Sequence, residues 1–573
     1  MSRVIYSFSN VKLQKRKSIN SIEQLSNEMF YEIFDYLLCQ DIYKAFSNLN
    51  NRFENLLFNS SYLLTIRFSS ESESIFDDRY KHLIDSNKYQ IISLHSDNQS
   101  LINKFNILYT IDSSFNHLQS IILHEIATFQ LMKLLFRLKS LPRLFSLTVF
   151  LDHCDDDLGD IYRVVFHLSY LKYFKLNISD YQALNLNIPI ATNAQFSSIE
   201  YLVIYHRLTL NELINLLSHT PQLTHLCCFN VTESEDDIKS EALMKLNNLR
   251  HLTISINHLR FDKFEKFLVK LSSQLRILSV TINGSDKNYL NGARFEYIIS
   301  QHIPYLNKLI FCYTDTIDND FEIKPCHALV NHFTSLFYLK RQWIFRIFIN
   351  NDKIIYLIRP SRDLCHDFQE FINLISSSIY SLRGAHISIR SNLHTKENEP
   401  FINKIIPLFE MLNVTRLNID CSQIIPNIFL KILSLLPNLD SMRIISFPPS
   451  EKLLLINENS KMFYLFLENN KITKLSLRDI PNFEQMFLIM NLFSHIKFIE
   501  LQQISNYNVE LIIRCTLWKI QITNNNNLKT LCVNVDEGSH DELEKLQKMI
   551  NSENLVEDYI IYRRHDKYYL EWK

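Results

Sequence analysis

Hydrophobic residues recur along most of this chain in the pattern LxxLxL, where L is an apolar residue and x is mostly polar. Residues 223–228 (LTHLCC) and 249–254 (LRHLTI) are clear copies, and eleven of the twelve intervals between copies are 24 to 33 residues long. The middle apolar position falls at thirteen places: Ile121, Leu147, Phe174, Leu202, Leu226, Leu252, Leu278, Leu309, Leu417, Met442, Leu475, Ile499 and Leu531. The last two apolar residues of each copy alternate with polar ones, which predicts a short strand buried on one side.

Segments with helical spacing of apolar residues separate these predicted strands. Examples are Leu213, Ile214, Leu216 and Leu217, then Ile428, Phe429, Ile432, Leu433 and Leu436, and then Phe487, Leu488 and Leu492. The repeating unit is therefore a strand followed by a helix, which predicts an α/β fold. A unit of this size cannot cover its own apolar faces, so neighbouring units must stack. We expect a curved solenoid with parallel strands inside and helices outside.

Two aromatic segments interrupt the repeat and predict β-hairpins. Residues 338–358 form the first hairpin, with its turn at Asn350, Asn351 and Asp352, in the long gap between Leu309 and Leu417. The second comprises residues 559–564 and 568–572 and follows a predicted C-terminal helix. We therefore expect two repeat blocks, 80–362 and 363–573, each closed by a strand cap that shields its last core layer.

Residues 20–68 follow a different pattern and predict a small helical domain after a lead-in of residues 1–19. Apolar residues at helical spacing define its first helix: Met29, Phe30, Ile33, Phe34, Leu37 and Leu38. Three helices are expected, with candidate caps at Ser26 or Asn27, at Asp41, and at Asn50 or Asn51. From periodicity alone, this segment equally fits a helical cap on the sheet.

Composition excludes several classes of partner. The 573 residues are 46% hydrophobic and include 40 Phe and 27 Tyr, which is typical of a folded chain. The net charge is -1 and no long basic stripe is present, so we do not expect nucleic acid as a partner. No window of about 20 apolar residues occurs, which argues against a membrane partner. The 10 Cys lack any CxxC spacing and are expected to be reduced thiols in a cytoplasmic or nuclear protein.

The chain lacks the motifs of common catalytic sites. Its five Gly form neither GxGxxG nor a P-loop, and no second His follows His124 and Glu125 at metalloprotease spacing. Neighbouring His and Cys residues at 153–154, 326–327 and 365–366 are isolated pairs without a spaced partner. We therefore expect no catalytic residue, no metal and no cofactor. The acidic runs 155–157 and 233–237 are interpreted as solvated loops.

Residues between the apolar positions of each LxxLxL strand point away from the core and predict a binding face. Exposed aromatic residues and Arg are enriched at interface hot spots, so these positions are candidate contacts for a protein partner. In the first block they are Tyr173, Tyr201, Tyr205, His225, Phe229, His251 and Arg276. In the second block they are Arg416, Arg443, Lys474 and Phe498, a more basic strip suited to an acidic segment or a modified peptide.

The repeats resemble those of leucine-rich-repeat proteins, and residues 25–53 resemble the F-box. The resemblance rests on the runs LSNEM (25–29), IFDYL (33–37), DIYKAF (41–46) and LNNRF (49–53). It departs from the family at Ser26, where an F-box usually has proline after the first leucine. A serine at this position offers a helix cap instead of the pre-organised backbone of proline.

The F-box resemblance implies a substrate receptor of an SCF-type cullin-RING ubiquitin ligase. In that family the F-box docks on the adaptor subunit, and a downstream repeat domain selects the substrate protein. Carried over by position, the apolar adaptor contacts are Leu25, Met29, Ile33, Phe34, Leu37 and Ile42. The alternative is a leucine-rich-repeat scaffold or recognition protein outside any ligase, in which the helices only cap the repeats. An enzyme ranks third.

Overall fold

The fold was analysed in a computed structural model. The structure describes residues 22–37, 39–58, 63–68, 84, 87–97, 111–152, 157–179, 186–191, 196–234, 245–271, 273–284, 286–316, 325–350, 353–361, 385–389, 408–420, 426–446, 470–480, 483–493, 495–504, 509–523, 527–534, 540–564 and 567–572. The chain divides into two compact units, Met1–His206 and Arg207–Lys573. Both are mixed α/β structures with a mainly parallel sheet.

The first unit begins with three short helices and continues into a parallel sheet. The helices are α1 (Asn27–Phe34), α2 (Cys39–Phe46) and α3 (Asn51–Phe58), with α4 (Thr128–Leu138) and α5 (Leu158–Phe166) between later strands. The strands are β1 (Leu64–Phe68), β2 (Ile91–Ser96), β3 (Ser120–Leu123), β4 (Ser146–Leu151), β5 (Tyr173–Ile178) and β6 (Tyr201–Tyr205). Each strand pairs in parallel with the next in chain order.

The second unit contains a longer sheet. Its first strands are β7 (Leu208–Thr209), β8 (His225–Thr232), β9 (His251–Asn257), β10 (Ile277–Asn283) and β11 (Lys308–Thr316), followed by β12 (Trp343–Asn350) and β13 (Lys353–Pro360). The later strands are β14 (Ala385–Ile389), β15 (Val414–Ile419), β16 (Ser441–Ser446), β17 (Lys474–Ile480), β18 (Phe498–Ile504), β19 (Thr530–Asn534), β20 (Tyr559–Arg564) and β21 (Lys567–Trp572).

Helices connect many of these strands, as the strand–helix repeat predicts. They are α6 (Leu210–Ser218), α7 (Phe261–Leu271), α8 (Gly292–His302), α9 (Leu336–Lys340), α10 (Pro426–Ser434), α11 (Phe483–Leu492), α12 (Val509–Thr523) and α13 (His540–Ser552). Capping explains where several begin. At α6, the Thr209 side chain accepts a hydrogen bond from the Glu212 backbone N–H, and the Glu212 side chain accepts one from the Thr209 N–H.

The predicted repeat positions all lie on strands and in register. Within the first unit, Ile121, Leu147, Phe174 and Leu202 occupy paired positions on β3 to β6. In the second unit the same holds for the run from Leu226 to Leu309 and for the run from Leu417 to Leu531. All thirteen side chains are at most 1% exposed. The prediction of stacked parallel strands with a shared apolar core is therefore confirmed.

Both predicted hairpins are present. The first pairs β12 with β13, and its two strands lie within the sheet: β13 pairs antiparallel with β11, and β12 pairs in parallel with β14. The sheet therefore continues past the hairpin. The second pairs β20 with β21, and β21 pairs antiparallel with β19. Residues 362–384, next to the predicted block boundary, lie outside the described residues, as do the lead-in 1–19 and the hairpin-turn residues 351–352.

Three strands do not belong to the predicted set. They are β1, which falls inside the predicted helical segment 20–68, together with β2 and β14. Each carries a buried residue in register with the repeat: Ile66 aligns with Leu94 and Leu94 with Ile121, while Ile387 aligns with Leu417. Their sequences lack one apolar residue of LxxLxL or lie outside the usual spacing, which hid them from the pattern.

A ladder of asparagine side chains joins the ends of β8, β9 and β10. The Asn257 side-chain NH2 donates to Asn230 Oδ1 at 2.5 Å, and that of Asn283 donates to Asn257 Oδ1 at 3.1 Å. Asn230 sits in a bulge with φ 69°, a backbone conformation that asparagine tolerates. The ladder satisfies polar groups at the same position of successive repeats.

Candidate interaction site

The N-terminal helices pack around one aromatic core. Its buried members are Phe30, Phe34, Ile42, Phe46, Phe53, Leu56 and Leu57. The rings of Phe30 and Phe53 meet edge to face with centroids 5.0 Å apart. The predicted contacts Phe34 and Ile42 are 1% and 2% exposed, so their role in this conformation is to hold the helices together. They are not available to a partner.

Other predicted adaptor contacts lie on the surface of this helical cluster. Met29 is 50% exposed and Leu37 is 38% exposed, next to Tyr36 at 88%. Leu25 and Ile33 are half-buried. Among the exposed apolar residues, Tyr36 was missed because the prediction followed only the helical stripe. The surface thus offers a small apolar patch that the core of the cluster does not use.

Arg52 fastens the third helix to the start of the first. Its guanidinium donates to the backbone carbonyls of Glu23 and Leu25 at 2.5 Å each, and to Asn27 Oδ1 at 2.9 Å. Asn50 caps α3 by accepting from the N–H groups of Arg52 and Phe53. The predicted cap of α1 differs, because Ser26 occupies the cap position without a side-chain cap hydrogen bond.

The partly exposed face of the first sheet carries a row of rings and charges, which we call the aromatic row: His95, His124, Phe150, Lys175 and Tyr205. The His124 ring stacks on Phe150 at 4.1 Å. The Lys175 ammonium lies 4.9 Å from the Phe150 ring and 5.1 Å from the Tyr205 ring. Three strand residues of this row, His95, Phe150 and Lys175, lie outside the predicted set.

The predicted tyrosines flank this row. Tyr201 and Tyr205 are 39% and 37% exposed, and Tyr173 lies beside Tyr201 with ring centroids 6.3 Å apart. At the other end, His95 Nε2 is 3.0 Å from Asp97 Oδ1, and Asp97 also pairs with Arg67. Burial lowers the pKa of His95, partly opposed by Asp97. A face of rings with polar ends suits a protein partner better than a small substrate.

In the second unit, the early strands place His225 and His251 side by side with ring centroids 3.9 Å apart. Both are half-buried, as is Phe229, while Arg276 is exposed in the turn before β10. Thr224 Oγ1 lies 2.8 Å from His225 Nδ1. All four predicted residues of this region therefore lie on β8 to β10 or at the strand starts.

The predicted basic strip on the later strands differs from expectation. Arg416 and Arg443 are 7% and 6% exposed and therefore do not form an open surface. Burial lowers the pKa of Arg416 to about 10, partly opposed by Asp440. Arg443 donates to Gln502 Oε1 at 2.5 Å. Alternation correctly assigned these side chains to the face away from the core, but it carries no information about what covers that face.

The remaining members of the strip, Lys474 and Phe498, are half-buried. Burial lowers the pKa of Lys474, against a raising effect of Asp440. Nearby, Lys567 Nζ lies 2.8 Å from Glu500 Oε1 in an ion pair whose side chains are 6% and 0% exposed. Buried ion pairs hold neighbouring strands in place because losing one partner leaves the other charge uncompensated.

The acidic residues interpreted as solvated loops have structural contacts where they are described. Asp157 caps α5 and accepts hydrogen bonds from the Gly159 and Asn187 N–H groups at 2.8 and 2.9 Å. Glu233 pairs with Arg260 and Lys263. The interpretation as free loop charge is wrong for these two residues. The rest of runs 155–157 and 233–237 lies outside the described residues.

Two searches of the described residues concern other kinds of site. No three His, Cys, Asp or Glu side chains there lie close enough together to hold a metal ion. No helix there has the length and apolar character needed to cross a membrane. The side chains of the His and Cys pairs at 153–154, 326–327 and 365–366 lie outside the described set.

Comparison with known proteins gives no family assignment. No protein-family model matches the chain, and a search of curated proteins found no match.

Proposed function

We propose that this protein is a substrate receptor of an SCF-type cullin-RING ubiquitin ligase. The helical cluster 22–58 would bind the adaptor subunit, and the sheet would bind the substrate protein. The observation that carries this proposal is the apolar patch of Met29, Tyr36 and Leu37, which stays exposed beside a well-packed core. Exposed apolar side chains grouped on one small helical domain are typical of a docking surface.

We further propose that both sheets are leucine-rich-repeat arrays. Three observations support this: the spacing of 24 to 33 residues, the aligned buried residue of every copy, and the asparagine ladder at the strand ends. In such arrays each repeat contacts its neighbours and the partly exposed strand face is available for binding. The aromatic row would then be part of the substrate surface.

Adaptor binding tests the first part of the proposal. We would co-express the full chain with the adaptor and compare the wild type with Met29→Asp and Leu37→Asp. Leu49→Asp is a matched control because Leu49 is 57% exposed on the same cluster but outside the carried-over contacts. We expect the wild type and the control to retain the adaptor, and the two variants to bind it about tenfold or more weakly.

Folding must be checked alongside, by thermal unfolding of each variant. Absence of adaptor binding by the folded wild type, or equal binding by all variants, would contradict the receptor function. That result would favour the scaffold alternative, in which the helices cap the sheet. Contacts between α2 and β1 are consistent with such a cap.

A second experiment tests the substrate surface. Proteins that co-purify with the full chain would be quantified for the wild type and for a Tyr201→Ala, Tyr205→Ala variant. Both tyrosines are exposed, so their removal should leave the fold intact. We expect captured partners to decrease selectively, whereas an unchanged set would place the substrate surface elsewhere.

A further inference from the structure

The turns that precede β8, β9, β10 and β11 form one continuous edge in the second unit. Backbone hydrogen bonds join them directly: the Arg250 N–H donates to the Thr224 carbonyl at 2.9 Å, and the Arg276 N–H donates to the Arg250 carbonyl at 2.7 Å. The Asn307 N–H in turn donates to the Arg276 carbonyl at 2.8 Å. Residues distant in sequence therefore lie on adjacent strands, about 4.8 Å apart.

This edge is basic in every repeat. The four turns, residues 219–224, 245–250, 273–276 and 303–307, contain no Asp or Glu. Arg250 and Arg276 are exposed, and His225 and His251 follow immediately at the strand starts. We call His225, Arg250, His251 and Arg276 the basic edge. It is absent from the sequence as a run because its members are separated by whole repeats.

The electrostatics of the histidine pair agree with this geometry. Burial lowers the pKa of His225, and the charges of His251 and Arg250 lower it further. Burial also lowers the pKa of His251, followed by the effects of Arg250 and Arg276. The charged groups acting on the pair are therefore all cationic. An anion placed among them would reverse this effect and favour the protonated rings.

We propose that the basic edge binds a phosphate group carried by a segment of the partner protein. This inference rests on the proposed function, because it specifies how a substrate would be recognised. Two neighbouring guanidinium groups match the oxygens of a phosphate, and arginine is preferred where such groups are bound bidentately. Two imidazole rings alongside supply further donors, both of them when protonated. A phosphate carries nearly two negative charges at neutral pH, which complements this group of cations.

Peptide binding to the full chain tests the proposal. The probes are a fluorescent phosphoserine peptide library with its other positions randomised, the same library with serine, and the same library with glutamate. We expect the phosphoserine library to bind at least about tenfold more tightly than the serine library. Equal binding of the serine library overturns the proposal. Equal binding of the glutamate library, or tighter binding of a single-stranded oligonucleotide, also overturns the assignment to phosphate.

Variants locate the binding. Arg250→Ala and Arg276→Ala should each weaken phosphopeptide binding about tenfold or more. Lys266→Ala, Lys270→Ala is the matched control, because it removes two exposed cations from α7 in the same repeat region. Unchanged binding by the arginine variants, or equal loss in the control, overturns the site.

The pH dependence gives an independent readout. We expect wild-type affinity to rise as the pH falls from 7.5 to 6.5, because the bound phosphate favours protonation of His225 and His251. The variant His225→Gln, His251→Gln should lose that rise, while a retained rise overturns the role of the histidines. Adaptor binding measured on the same samples separates the two proposals, because phosphopeptide binding without adaptor binding refutes only the receptor function.

Discussion

Gly159 provides a test in which helix propensity and packing predict opposite signs. It lies in the first turn of α5, where replacing glycine by alanine ordinarily stabilises a helix by about 1 kcal/mol. Here an added Cβ would lie 2.5 Å from the Asn187 carbonyl oxygen and 2.9 Å from Asp157 Oδ1. The Asn187 backbone is held by Asp157 and by Arg163, whose guanidinium donates to the same carbonyl at 3.1 Å.

The clash must therefore be relieved by moving backbone that is itself hydrogen-bonded. Overpacking of this kind costs about 1 to 3 kcal/mol, and each disturbed hydrogen bond costs about 1 kcal/mol more. Subtracting the propensity gain leaves a net destabilisation of about 2 kcal/mol for Gly159→Ala. Gly284→Ala is the matched control, because its nearest neighbour, the His258 nitrogen, is 3.3 Å away. We expect it to change stability by less than about 0.5 kcal/mol.

Hydrogen exchange of the full chain, read by mass spectrometry, is the suitable assay, because a chain of two units need not unfold in one step. Peptides from α5 and β5 should exchange about thirtyfold faster in Gly159→Ala, whereas peptides from β8 to β11 should be unchanged. Slower exchange in α5 would show that propensity outweighs the clash and would refute the packing argument.

Three further predictions concern charged and polar contacts. Arg52→Gln should destabilise the helical cluster by about 2 kcal/mol, because the Glu23 and Leu25 carbonyls lose their donor; limited proteolysis within 22–58 would detect it, with the exposed Lys44→Gln as control. His95, His225 and His251 have folded-state pKa values below 6.5, so the unfolded chain binds more protons and stability should fall as the pH drops below 6.5. Urea unfolding between pH 7.5 and 5 checks this, and a stability that rises on acidification would contradict it. Lys567→Met should cost about 3 to 5 kcal/mol because it strands the buried Glu500 carboxylate, and adding Glu500→Leu should restore much of that loss in thermal unfolding; equal stability of the two variants would refute the uncompensated charge.

The repeats were the most predictable part of the fold. An apolar residue such as Leu252 must be buried wherever a strand has one covered face, so its period alone located most of the parallel strands. Strands with an incomplete pattern were missed, because a local rule needs every apolar position. In β2, for example, Ser96 stands where the last apolar residue would be.

The candidate site was less predictable, because exposure depends on distant parts of the chain. Phe34 follows the same helical stripe as Met29, yet one is in the core and the other at the surface. The stripe fixes a direction, while the packing of α2 and α3 decides what is covered. The basic edge was missed for a related reason: Arg250 and Arg276 become neighbours only when the parallel ladder pairs their repeats.

The β12–β13 hairpin has a consequence for the order in which the second sheet assembles. Its strands meet through a turn between the paired residues Asn350 and Lys353, whereas neighbouring repeats are joined by 24 to 33 residues. The shorter loop lowers the entropic cost of first contact by about 2 kcal/mol. Because β13 and β12 together restore the original strand direction, parallel strands can add to both sides of the hairpin. We therefore expect this hairpin to form first and to nucleate growth of the sheet in both directions.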